Sequence, residues 1–146
     1  MRQDEERRAV EEMTATTAYD LMLNDASAQL VDVRTHAEWT YVGVPDLSQI
    51  GRETIFCEWQ TYPTGQVSPT FLADLDRALA SAAPEATLVF ICRSGVRSRA
   101  AANVALAAGR ARCVNVSDGF QGPLDADGHR GVISGWQAAG LPWRQG

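Results

Sequence analysis

Lysine is missing from this sequence. All 13 basic residues among the 146 are arginine, which excludes a Walker-type phosphate loop and any pyridoxal phosphate or other Schiff-base enzyme, since both need an amine. Long apolar runs are missing too. No stretch approaches the roughly 18 residues of a membrane span, and the N-terminus, MRQDEERRAVEEM, is charged where a secretory signal would be apolar. The expected address is the cytoplasm, with no membrane partner. Cysteine is scarce: Cys57, Cys92 and Cys113 are widely spaced and form neither a disulfide framework nor a CxxC metal site. No metal and no other cofactor is expected. Acids outnumber bases, for a net charge of −5, which argues against a nucleic-acid-binding surface.

What is present is a chain of one-domain length, residues 1–146, with no internal repeat or linker. Residues 1–13 read as a charged N-terminal helix or tail. Thr16 or Thr17 is placed to cap a helix reaching about Asp25. Residues 29–33 (QLVDV) and 54–57 (TIFC) read as short strands. Ser68 at an N-cap and Pro69 at the first helical position open a helix whose apolar face is Phe71, Leu72, Leu75 and Leu79, stopped by Pro84. Residues 87–91 (TLVFI) have the continuous apolar character of a central parallel strand. A helix capped by Ser98 then runs to Ala108 and Gly109, and residues 112–116 (RCVNV) are the next strand. Such alternation predicts an α/β fold: a central, mostly parallel sheet with helices on both faces and ligands beyond the carboxyl ends of the strands. Cys92 stands at one such end.

The stretch from Val89 to Ala101, VFICRSGVRSRAA, carries the chemistry. A cysteine acts as a nucleophile through its thiolate, which requires positive surroundings. Three sources lie next to Cys92: the amides of a turn containing Gly95, the N-terminus of the following helix, and the charges of Arg93 and Arg97. From Val89 to Arg112 there are five arginines and no acid, so a local positive field is expected on an acidic protein. The spacing separates two chemistries. Cysteine-dependent phosphatases use C-x5-R, wrapping a phosphate against a guanidinium, whereas here the arginine falls at C-x4-R and Ser98 occupies the phosphatase position. The shorter loop suits a smaller guest, the outer sulfur of a persulfide, and disfavours a phosphatase or arsenate reductase.

CRSGVRS, following a strand and opening a helix, resembles the active loop of single-domain rhodanese-like sulfurtransferases. LVDVRTHAEW is similar to that family's Asp-Val-Arg turn, and VNVSDGFQGPLDADGHRG with GWQAAGLPW resembles the tail of bacterial members. The likeness covers about residues 30–143. It implies a three-layer rhodanese-like fold in which Cys92 accepts and donates sulfur, Arg93, Ser94, Gly95, Val96, Arg97 and Ser98 form the cradle, and Arg97 clamps an anionic donor such as thiosulfate. Asp32 and Arg34 resemble the family's pair that supports the loop. The implied reaction is a ping-pong transfer of sulfane sulfur from thiosulfate or a persulfide to cyanide or a thiol, with glutathione or a thiol protein as candidate acceptors. A protein-to-protein sulfur relay or sensor module is the alternative of another class. The chain departs from the family where many members have Gly-His-Ile-Pro-Gly-Ala: it reads Gly43-Val44-Pro45-Asp46-Leu47, without the histidine.

Other notable side chains have plainer readings. Cys113 and Cys57 are expected in the core, with a resolving role for Cys57 left open. Arg110 and Arg112 are expected to be solvated charges, His36 a surface or helix-starting residue, His129 a loop residue with an approach to the site left open, and Asp125, Asp127 and Gly128 a polar turn. Trp39, Trp59, Trp136 and Trp143 are read as packing residues, with Trp59 and Phe120 able to wall a site.

Overall fold

The computed structural model of the protein describes residues 9–145. Along the described chain lie β1 (Glu11–Met13), α1 (Ala15–Asn24), β2 (Gln29–Asp32), α2 (His36–Tyr41), β3 (Val44–Pro45), β4 (Ile55–Phe56), α3 (Phe71–Ala78), β5 (Thr87–Ile91), α4 (Val96–Ala107), β6 (Arg112–Val116) and β7 (Trp143–Arg144). Five strands in the order β1-β6-β5-β2-β4 form one sheet, all parallel. The short β3 and β7 pair separately and antiparallel. Among the described residues no helix is long and apolar enough to cross a membrane.

The central strand explains the layers. Every residue of β5 is buried, as expected of a parallel strand covered on both faces. Because side chains alternate sides along a strand, Leu88 and Phe90 join Phe71 and Leu75 of α3 and Ala101 and Ala105 of α4 in one core. Val89 and Ile91 join Ala15, Ala18 and Met22 of α1, with Phe120 and Trp136, in the other. The expected three-layer α/β architecture is therefore present, with the carboxyl end of β5 opening into the loop before α4.

Several local expectations change. Residues 1–8 of the anticipated N-terminal helix or tail lie outside the described residues, but Glu11–Met13 is a strand, registered on Val114, Asn115 and Val116. Glutamate and methionine favour helix locally. Here pairing to the sheet overrides that preference, and two ion pairs reinforce it: Glu11 receives Arg112 at 2.7 and 2.8 Å, while Glu12 receives Arg99 at 2.9 Å. Thr14, instead of Thr16 or Thr17, caps α1, its hydroxyl accepting from the Thr17 amide. Residues 68–70 form a turn before α3, with Thr70 at the cap. Ser98 does not cap α4 but lies inside its first turn, the cap being Gly95. Its hydroxyl is drawn inward by the two polar atoms described below.

Candidate active site

Cys92 immediately follows β5, so the sheet fixes its backbone. Its sulfur accepts three hydrogen bonds: from the Gly95 amide at 3.2 Å, the Ser98 amide at 3.3 Å and the Ser98 hydroxyl at 3.2 Å. The residue is only 1% exposed. A sulfur surrounded by donors at a helix N-terminus is arranged to carry negative charge. Among the described residues, the amides of Arg93, Ser94, Val96 and Arg97 donate to no protein acceptor, so further donors remain available beside the sulfur.

The turn depends on glycine. Gly95 has φ +104°, and a Cβ there would stand 2.4 Å from the Ser117 carbonyl oxygen. The stretch after β6 braces the loop from outside: the Phe120 amide donates to the Cys92 carbonyl at 2.8 Å, and those of Gln121 and Gly122 donate to the Arg93 carbonyl at 3.0 Å each. Gly119 permits this approach, since a Cβ on it would meet the Arg93 carbonyl oxygen at 2.3 Å.

Asp32 and Arg34 act from behind. They form a fully buried ion pair at 2.8 Å. Arg34 also donates to the Gly43 carbonyl at 2.7 Å and lies 4.3 Å over the Phe120 ring. The pair reaches the loop through Phe120, whose amide holds the Cys92 carbonyl, and touches no reacting atom. Phe120 is thus a buried brace and not a wall of the site.

Two participants escape a reading of the sequence. The first is Asn115, buried in β6 opposite Ser98. Its carbonyl oxygen lies 2.5 Å from the Ser98 hydroxyl, and its amide donates to the Glu12 carboxylate at 2.8 Å and the Gly95 carbonyl at 3.1 Å. Ser98 has one proton to share between this oxygen and the Cys92 sulfur. A polar residue set between Val114 and Val116 in RCVNV was the available signal. The second is Glu38. Its carboxylate takes both terminal nitrogens of Arg97, at 2.7 and 2.9 Å, so the residue the resemblance makes an anion clamp is here paired with a carboxylate of the chain itself. Burial alone would raise the Glu38 pKa, but the hydrogen bonds and charge of Arg97, with those of Thr35, outweigh it and bring it down to about 2.

The expected positive field is largely cancelled by acids from other parts of the chain. Arg97 meets Glu38, Arg99 meets Glu12, Arg110 meets Asp76 and Arg112 meets Glu11. The expectation of solvated Arg110 and Arg112 is corrected accordingly. Of the five, only Arg93 makes no ion pair among the described residues, and it is exposed. A cavity of about 740 Å³ opens beside the loop, lined among others by Arg93, Arg97, Glu38, Gln121, Tyr41 and Tyr62.

The remaining residues stand apart from this site. Cys57 and Cys113 are buried, as is Cys92. Burial, with the Asp74 and Glu58 carboxylates, pushes the Cys57 thiol up to about 11. His36 and His129 are exposed and outside the cavity lining. The Asp125 carboxylate accepts from the amides of Asp127 and His129, forming the expected polar turn. Trp136 is fully buried, Trp143 is partly exposed, and Trp59 packs edge-on against Phe71.

Comparison with known proteins agrees with this architecture. The family model described as the STR4 middle domain matches residues 10–146. The crystal structure of Rv0390 from M. tuberculosis is similar over 94% of this chain and 99% of that one, with 48% identity and a TM-score of 0.85. The uncharacterized protein RC0915 of Rickettsia conorii is 35% identical over 136 residues, 93% of this chain and 98% of its own length. Rhodanese-like domain-containing protein 4, chloroplastic, of Arabidopsis thaliana is 28% identical over 131 residues, spanning 89% of this chain but 25% of that protein.

Proposed function

The chain belongs to the STR4 middle-domain family, and on that premise we propose that it is a rhodanese-like sulfurtransferase in which Cys92 carries sulfane sulfur as a persulfide. One observation carries the reading: three donors converge on the Cys92 sulfur from a loop too short for the C-x5-R phosphate wrap. The similarity to a rhodanese-like domain protein of Arabidopsis thaliana supports it.

In the first step, the Cys92 thiolate attacks the outer sulfur of the donor. A sulfur–sulfur bond forms to Cys92 and the donor's own bond to that sulfur breaks, its electron pair leaving with the donor. Thiosulfate departs as sulfite and leaves Cys92 persulfide anion; a persulfide R–S–SH departs as R–S⁻ and leaves the proton on the outer sulfur. In the second step, cyanide or a thiolate attacks that outer sulfur and Cys92 leaves as thiolate. Amides of the loop stabilise the anionic sulfur in both states. Asp32, Arg34 and Phe120 hold the loop in shape.

The pairing of Arg97 with Glu38 also weakens the phosphatase alternative, because the loop's C-x4-R guanidinium is already engaged by a carboxylate. Intact mass after incubation with thiosulfate, and separately with a persulfide donor, tests the proposal. The expected result is a gain of one sulfur atom, reversed by reductant and absent in Cys92→Ser. No gain from either donor, or an equal gain in the variant, refutes it.

A further inference from the structure

The sulfurtransferase reading leaves open which donors the site accepts, and the inference here rests on that reading. We propose that Glu38 determines donor specificity: by occupying Arg97 it sets the site against the thiosulfate dianion and in favour of organic persulfides that present at most one carboxylate to Arg93.

The charges around the cavity favour this assignment. Arg97 gives both terminal nitrogens to Glu38, and that pair contributes no net charge. Among the described residues that line the cavity, Arg93 is the cation left to meet a donor, and the attacking Cys92 sulfur must itself be anionic to react. A dianion entering this balanced site gains little attraction and must also approach two anions. Selection of this kind works by placing a repulsive group against the wrong ligand.

Glu38 is also poorly able to step aside. It is the N3 residue of a capping box on α2, accepting from the Thr35 amide at 3.1 Å and its hydroxyl at 3.0 Å while the Glu38 amide donates back to that hydroxyl. Releasing Arg97 to a donor disturbs this cap as well as an ion pair whose two side chains are each only about one-fifth exposed. Its depressed pKa keeps the carboxylate charged throughout the neutral range.

The cavity's size points the same way. At about 740 Å³ it far exceeds a five-atom anion and falls within the range of sites for larger organic ligands. The cavity is also lined by Tyr41 and Tyr62, 81% and 71% exposed, and by Pro63. These offer flat apolar surface to the carbon skeleton of a donor and nothing to an inorganic one.

Glu38→Gln separates charge from structure, because glutamine serves at N3 of a capping box. The measurement is kcat/KM with thiosulfate and with cysteine persulfide, which carries one carboxylate and one ammonium, in the wild type and in Glu38→Gln. The expected result is at least about a tenfold rise in the thiosulfate-to-persulfide ratio, mainly through a lower KM for thiosulfate. An unchanged or lower ratio overturns the role of Glu38. A second measurement needs no variant: the wild-type kcat/KM for thiosulfate should vary little with ionic strength, and a steep fall with added salt would reveal an attractive site and overturn the proposal. Failure of either donor to load Cys92 removes the sulfurtransferase reading itself, whereas loading with an unchanged ratio removes only the specificity assigned to Glu38.

Discussion

Cys92 and Cys57 invite comparison. Each follows the carboxyl end of a parallel strand, β5 and β4, and both sulfurs belong to the same core. Their surroundings are opposite. The Cys92 sulfur accepts three hydrogen bonds from a helix-opening loop, while the Cys57 thiol faces the Phe71 carbonyl at 3.9 Å and two carboxylates help burial push it up to about 11. Position at a strand end is therefore insufficient. The following segment decides, by offering the sulfur donors or an acceptor.

The largest contrast should come from exchanging the sulfurs themselves. Cys92→Ser is expected to lose sulfur loading completely, whereas Cys57→Ser should keep it, as read by intact mass. Loading that depends on Cys57 would collapse the contrast. Next comes the turn. Gly95→Ala forces a side chain into a left-handed φ and against the Ser117 carbonyl, so transfer should fall by about 100-fold through misplacement of the loop, with a lower Tm. Near-normal kinetics in that variant would show that the geometry of the turn is dispensable.

Acid should then loosen the two regions unequally. The folded pKa of Glu38 lies at about 2, below its ordinary 4.5. Its contribution to stability is therefore fully present above about pH 4.5 and is lost as the pH falls toward 2. Allowing for screening of a pair that is partly open to solvent, it amounts to about 1–2 kcal/mol at neutral pH. Denaturant unfolding should show wild type more stable than Glu38→Gln at neutral pH, with the gap closing on acidification. A gap independent of pH would mean that the pair does not stabilise the fold through its charge. The smallest effect belongs to Ser98→Ala, which removes one of three donors and leaves the buried Asn115 oxygen without its partner. About a tenfold slower transfer and a stability loss of about 1–3 kcal/mol are expected. Asn115→Ala should cost similar stability but retain the Ser98 donation to sulfur; equal losses of rate in both variants would place the hydroxyl's role in the network and not at Cys92.

The same contrast shows what could be read in one dimension. β5 and β6 were legible to the residue: TLVFI is apolar after its threonine and buried throughout, and RCVNV carries three apolar residues in a run of high strand propensity, buried except at Arg112. The loop was legible as well: Cys92, Gly95 and the coming helix are neighbours in the chain, so local geometry brings them together. β1 was not legible. Three residues show no period, and the carboxylates that hold it find arginines about a hundred positions away. The bracing glycine-rich stretch after β6 could be recognised, but its contacts with the loop carbonyls could not.

The sequence by itself determined the alternation of elements, the place of Cys92 at a strand end and a loop one residue shorter than the C-x5-R phosphate wrap, all consequences of short-range sterics and hydrophobic pattern. Only the tertiary structure decided how those arginines are charged in effect. Glu38 reaches Arg97 across 59 residues, and Asn115 reaches Glu12 across 103. Electrostatic partners are set by distance in space, which folding of the sheet establishes and the order of residues does not.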